Sequence, residues 1–164
     1  MIENIISALG SLKISNELNV MILSMLPISE LRGAIPVAVF NFHFTIYKAY
    51  IIAVIGNLIP ILPIIYFLEP IRKQLSKIKI FKKFFDWLYN RAYKKSKKVM
   101  KYGAIGLALF VAIPLPLTGA WTGSIAAILF DIKPKYAFPS IILGVLTAGI
   151  IVSLIVKGIL IIQL

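Results

Sequence analysis

A chain of 164 residues that is 60% hydrophobic, with a mean hydropathy of +0.94, is too apolar for a soluble domain and belongs in a bilayer. The net charge of +12 would suit nucleic acid if it were spread, but twelve of the eighteen Lys and Arg fall between Arg72 and Lys101, against one acid, Asp86. With no cysteine and a single histidine, His43, the chain offers no disulfide, no thiolate nucleophile and no cluster to hold a metal, and no cofactor is expected.

The concentrated charge marks a cytoplasmic loop, because basic residues beside membrane segments resist translocation. Met1 to Ser11 lacks a basic start, a long apolar run and a small-residue cleavage site, so the membrane segments themselves are expected to direct insertion. The expected location is the plasma or inner membrane, crossed more than once.

In chain order, Ile2, Ile5, Ile6, Leu9 and Leu12 recur at helical spacing and predict a short interfacial or bundle helix. Leu18 to Leu26 is apolar but too short to cross about 30 Å of hydrocarbon. There follows Pro27-Ile28-Ser29-Glu30-Leu31-Arg32-Gly33-Ala34-Ile35-Pro36, and then another short apolar run, Val37 to Phe44. Two half-length pieces around a polar, proline-bracketed break predict a re-entrant hairpin or a broken helix, with Pro27, Gly33 and Pro36 as its breaks. Tyr47 to Leu68 is long enough to span, kinked by Pro60 and Pro63.

Ile71, Leu75, Ile78, Phe81, Phe85, Leu88 and Ala92 then predict a basic amphipathic helix whose cationic face suits anionic lipid head groups; nucleic acid is not expected as a partner. After it the first pattern returns. Gly103 to Ile113 is a short apolar run, and Pro114, Pro116, Gly119 and Gly123 lie in a second break that also carries Thr118, Trp121, Thr122 and Ser124. Ile125 to Phe130 is apolar, Asp131 to Lys135 is a polar turn, and Tyr136 to Val156 can span.

At an offset of about 88 residues, Ala49 aligns with Ala137, Gly56 with Gly144 and Leu58 with Leu146, but the shared order of segments argues more strongly than these identities. The expected fold is therefore an all-α membrane protein of two inverted repeats: residues 1–70, a basic segment 71–102, and residues 103–164. Each repeat is a re-entrant or broken helical hairpin followed by a transmembrane helix. A rival topology runs Gly103 to Phe130 through the membrane as one kinked helix.

An ionisable residue at bilayer depth is expensive enough to imply function. Glu30 can take up and release a proton, and Arg32 offers a planar fork of donors to phosphate or carboxylate; the alternative is an internal ion pair that locks the hairpin. Thr118, Trp121 and Thr122 are candidates to complete a cavity, where helix starts would present free N–H groups. Asn57, within the first span, could reach the Glu30 region or a neighbouring helix. Phosphate-binding glycine loops, nucleophile elbows and nucleophile–base pairs are missing, so an enzyme is not expected.

The pair Pro27 to Pro36 and Ile113 to Gly123 resembles the small multidrug export family of prokaryotic membrane proteins, and more distantly the DedA group, whose re-entrant hairpins carry an acid and arginines. The first resemblance implies export of small compounds. The second implies substrate or proton roles for Glu30 and Arg32 only, because the second hairpin here has no arginine. The resulting expectation is a proton-coupled secondary transporter acting at a midplane site, assembled as a homodimer or larger oligomer. A flippase for an anionic, polyprenyl-phosphate-type lipid and a non-transporting membrane scaffold are the alternatives.

Overall fold

A computed structural model describes residues 15–67, 97–115, 118–130 and 132–162. The expected N-terminal helix, nearly all of the basic segment, Pro116 and Asp131 lie outside the described residues. Those described are all helical apart from their connections: α1 (Asn16–Met25), α2 (Glu30–Phe40), α3 (Ile46–Leu58), α4 (Lys97–Ala112), α5 (Ala120–Leu129) and α6 (Pro134–Ile162). After a two-residue turn at 59–60 the α3 helix resumes to Phe67, so that Ile46–Phe67 and Pro134–Ile162 are both long and apolar enough to cross a membrane.

Residues 1–60 and 145–164 form one compact unit, and residues 61–144 another. In the first unit α1, α2 and α3 pack on one another. Ser15 caps α1 by accepting from the Leu18 N–H, and Thr45 caps α3 by accepting from the Lys48 N–H, so both helices start where their side chains satisfy orphan donors. Lys48 Nζ lies 2.6 Å from Glu17 Oε1 and 4.1 Å from the centre of the Phe44 ring. That contact gathers the start of α1, the end of α2 and the start of α3 at one end. The break between α1 and α2 lies at the other.

The direction of packing follows from three contacts. Glu17 meets Lys48, the Ser24 hydroxyl donates to the Ala53 carbonyl, and Gly56 lies against Met21 and Ser24. Numbers rise together along both helices, so α1 and α3 run parallel with α2 returning beside them. A Cβ on Gly56 would stand 2.6 Å from the Met21 carbonyl oxygen, closer than any side chain tolerates.

The second unit repeats this contact. A Cβ on Gly144 in α6 would stand 2.8 Å from the Ala108 carbonyl oxygen and 2.5 Å from Val111 Cβ. Shifting Met21 and Ser24 by the same offset that aligns Gly56 with Gly144 lands one residue beyond Ala108 and Val111. The two glycines therefore do the same work, letting a long helix approach the backbone of the short helix that opens its own hairpin. Within this unit α4 turns sharply at Gly103, whose φ of 51° favours glycine. Its apolar part, Gly103–Ala112, packs beside α5, and Gly123 faces Val111 and Leu107. Residues 113–115, 118 and 119 are not helical, so the described helix is interrupted between α4 and α5.

The first break is shorter than its proline bracket suggested. Helix α2 begins at Glu30, so Gly33 and Pro36 lie inside it, and Pro27 alone of the three stands in the break. Pro36 contributes no N–H, but one missing donor in an eleven-residue helix packed between two others does not end it. Gly33 is also committed to the helix, its N–H donating to the Ser29 carbonyl.

Candidate functional site at the helical breaks

Four residues, Leu26 to Ser29, turn the chain from α1 into α2. Ile28 is exposed at the tip, whereas Ser29 and Glu30 are buried. The turn is closed from within: the Leu26 N–H donates to Leu23, the Glu30 N–H donates to the Leu26 carbonyl at 2.9 Å, and the Ser29 hydroxyl donates back to the Leu23 carbonyl. These bonds satisfy polar backbone that would otherwise be costly among apolar side chains.

Glu30 sits where the turn becomes helix, with a φ of 46°. For a residue with a Cβ this is a strained conformation, worth on the order of 1–3 kcal/mol, and it persists only when the surroundings fix it. Its side chain is buried, and its carboxylate acts electrostatically on Arg32, which is half-buried. An acid and a guanidinium are thus held near the apolar break by the strained first turn of a helix.

Asn57 belongs to the same end of this unit. Because α1 and α3 run parallel and Gly56 lies against Met21 and Ser24, Asn57 comes close to the level of the first break. It is fully buried, and neither its amide oxygen nor its amide nitrogen has a hydrogen-bond partner.

The second break is built differently. The Thr118 hydroxyl donates towards the Ile113 and Leu115 carbonyls and accepts from the Leu115 N–H at 3.2 Å. It staples the turn. Pro114 is half-buried there, and Gly119, with a φ of 154°, leads into α5 without a side-chain cap. The Thr122 hydroxyl faces the Gly119 carbonyl at 3.3 Å and the Ser124 hydroxyl donates to Ala120 at 2.7 Å. Trp121 is half-buried in the first turn of α5. A Cβ on Gly123 would meet Val111 at 2.4 Å, which makes this glycine a helix contact.

Of the residues singled out in the sequence, the structure brings Glu30, Arg32 and Asn57 to one end of the first unit. Thr118, Trp121 and Thr122 gather at the break of the second. Sequence reasoning missed Ser29, whose hydroxyl closes the first turn, and Ser153, a buried hydroxyl in α6 with no hydrogen-bond partner. The signal for Ser29 was present in its place just before a helix. That for Ser153 was only a hydroxyl within an apolar run.

No curated protein and no solved structure matches the chain. A family model described as "Putative small multi-drug export protein" matches residues 30–151, from the first residue of α2 into α6. That span covers well over half of the chain and contains Glu30, Arg32, Asn57, the first long apolar helix and more than half of the second. The chain therefore belongs to the small multidrug export protein family, and it is a membrane protein.

Proposed function

We propose that the protein is a secondary transporter that exports a small amphipathic compound in exchange for protons, with Glu30 as the proton-carrying acid and Arg32 as its electrostatic partner. The observation that carries this reading is the placement of Glu30: buried, conformationally strained and beside a break between two half-length helices. Ten or eleven helical residues extend about 15 Å, half the hydrocarbon thickness, so a hairpin of α1 and α2 entering from one side ends near the midplane. Family membership supports export as the activity.

Alternating access in this reading comes from two re-entrant hairpins of opposite orientation. The matched Gly56 and Gly144 contacts support a common ancestry of the two halves, and the basic segment, with Lys133 and Lys135, is assigned to the cytoplasmic side. Two spans and two hairpins make a thin wall around a cavity, so two or more copies are expected to assemble.

The test uses purified protein in liposomes loaded with a pH-sensitive dye and exposed to an amphipathic cationic dye such as ethidium. Wild type is expected to move protons only when the cationic dye is present, and Glu30→Gln to assemble normally but lose that flux. If Glu30→Gln instead fails to assemble, Glu30 is structural and the scaffold reading replaces this one. Single cysteines at Thr45, Lys83 and Lys133, in a chain with none of its own, test the topology: 45 should label from outside and the other two only from inside.

A further inference from the structure

Each long apolar helix starts beside a lysine held over an aromatic ring, and the two starts differ in charge. Lys48 Nζ lies 4.1 Å from the centre of the Phe44 ring and is neutralised by Glu17 at 2.6 Å, and the turn from Asn41 to Thr45 contains no Lys or Arg. Lys135 Nζ lies 4.9 Å from the centre of the Tyr136 ring, with Lys133 two residues before it. These three residues are exposed, and neither lysine meets an acid among the described residues.

The second unit fixes where this corner lies. The apolar part of α4, Gly103–Ala112, and α5, Ala120–Leu129, have the same length and are joined by residues 113–119. Gly123 near the start of α5 faces Val111 near the end of α4, so the two helices double back and bring Leu129 level with Gly103. The Ile132 N–H donates to the Ala127 carbonyl at 2.9 Å and the Tyr136 N–H to the Lys133 carbonyl at 2.8 Å, which closes the turn into α6. Lys133 and Lys135 therefore stand at the end of the unit where α4 turns at Gly103, and Lys97, Lys98 and Lys101 belong to the helical stretch just before that turn. Against these lysines the sequence sets one acid, Asp131, the only one after Asp86.

The surface passes from charge to hydrocarbon. Tyr136, Pro139 and Leu143 recur at helical spacing along α6 and are all exposed, Leu143 by 59%. Lys133 to Leu143 covers about 15 Å, half the hydrocarbon thickness and so the depth of one leaflet. A cationic corner, a ring at the boundary and an apolar strip one leaflet deep complement a single anionic amphiphile. A soluble acidic partner would leave the strip uncovered.

We propose that Lys133, Lys135 and Tyr136 form a binding site for the head group of an anionic phospholipid, whose acyl chain lies along the exposed strip of α6. The two ammonium groups neutralise the phosphodiester, and the Tyr136 ring holds Lys135 at head-group depth. A zwitterionic lipid brings its own cation to the same place and gains less. The proposal rests on the membrane reading and is independent of Glu30 and of what is exported.

A single tryptophan on the strip reads the lipid beside it. Leu143→Trp, in a chain carrying Trp87→Phe and Trp121→Phe, is reconstituted with phosphatidylcholine or phosphatidylglycerol brominated on the acyl chains, and quenching gives their relative association. Phosphatidylglycerol should be preferred at least about fivefold, and Lys133→Gln with Lys135→Gln should lower the preference below about twofold. Lys82→Gln with Lys83→Gln removes the same charge from the basic segment and should leave it unchanged. No preference in the parent chain, or equal loss in both double variants, would overturn the proposal, the second by showing diffuse attraction to net charge. Loss of the preference in sodium phosphate but not in sodium chloride of equal ionic strength would overturn it in favour of free phosphate. Glu30→Gln should leave the preference unchanged, so failure of the lipid site and failure of the transport reading are separable.

Discussion

The two helical breaks share a plan and differ in chemistry. Each follows a short apolar helix, precedes another, and is followed by a long helix pressed by a glycine against the first. The first break leads into a buried acid at positive φ and a half-buried arginine; the second holds hydroxyls that bond to their own turn and glycines that meet neighbours. Packing constrains both copies alike, because a helix cannot approach a backbone carbonyl with a side chain in the way. Charge is confined to one copy, where desolvation makes it costly and therefore informative. The lesson is a division of labour: the glycine contacts hold each half, and the first break alone carries ionisable chemistry.

The largest effect tests the shared plan. Gly56→Leu and Gly144→Leu should each cost more than about 3 kcal/mol, because the new side chain meets a backbone oxygen that cannot move aside. Size-exclusion profiles in detergent should show aggregation for both. Folding of one variant and not the other would mean that the two contacts are not equivalent.

Next in size comes the difference between the breaks. Glu30→Gln should lower substrate-dependent proton flux on the order of tenfold or more, a change of at least ~1.4 kcal/mol in the barrier, while Thr122→Val stays within about twofold of wild type. Ser29→Ala removes the hydroxyl that closes the first turn and should destabilise by about 1 kcal/mol, read as a lower melting temperature in detergent.

The smallest effect concerns the opposite end of the first hairpin. The hydrogen bond from Lys48 holds the Glu17 carboxyl below its ordinary value of 4.5. A depressed carboxyl contributes stability that is fully present above the unfolded value and is lost as pH falls through the folded one. Melting temperatures of wild type and Glu17→Gln, measured from pH 7 to 3, should therefore converge only below about pH 4.5. Because Glu17 is solvent-exposed, the difference above that pH should be small.

Much of the fold was legible because apolar length is a direct physical signal: half-length runs around a polar break, then a run long enough to span, written twice. The exact start of α2 was less visible. Pro36 reads as a break in isolation, but packing between α1 and α3 carries the helix through it. The acid and arginine were legible since nothing apolar explains them. Asn57 was visible as a polar residue in a span, whereas its full burial depends on the packing of helices that are apolar on nearly every side. Such helices give no periodic signal from which that packing could be read.

The most direct test of the central claim is proton flux in liposomes for wild type, Glu30→Gln and Thr122→Val, each first shown to assemble. The account predicts loss of coupled flux in Glu30→Gln alone. Equal flux in wild type and Glu30→Gln, with loss in Thr122→Val, would place the chemistry at the second break and contradict it.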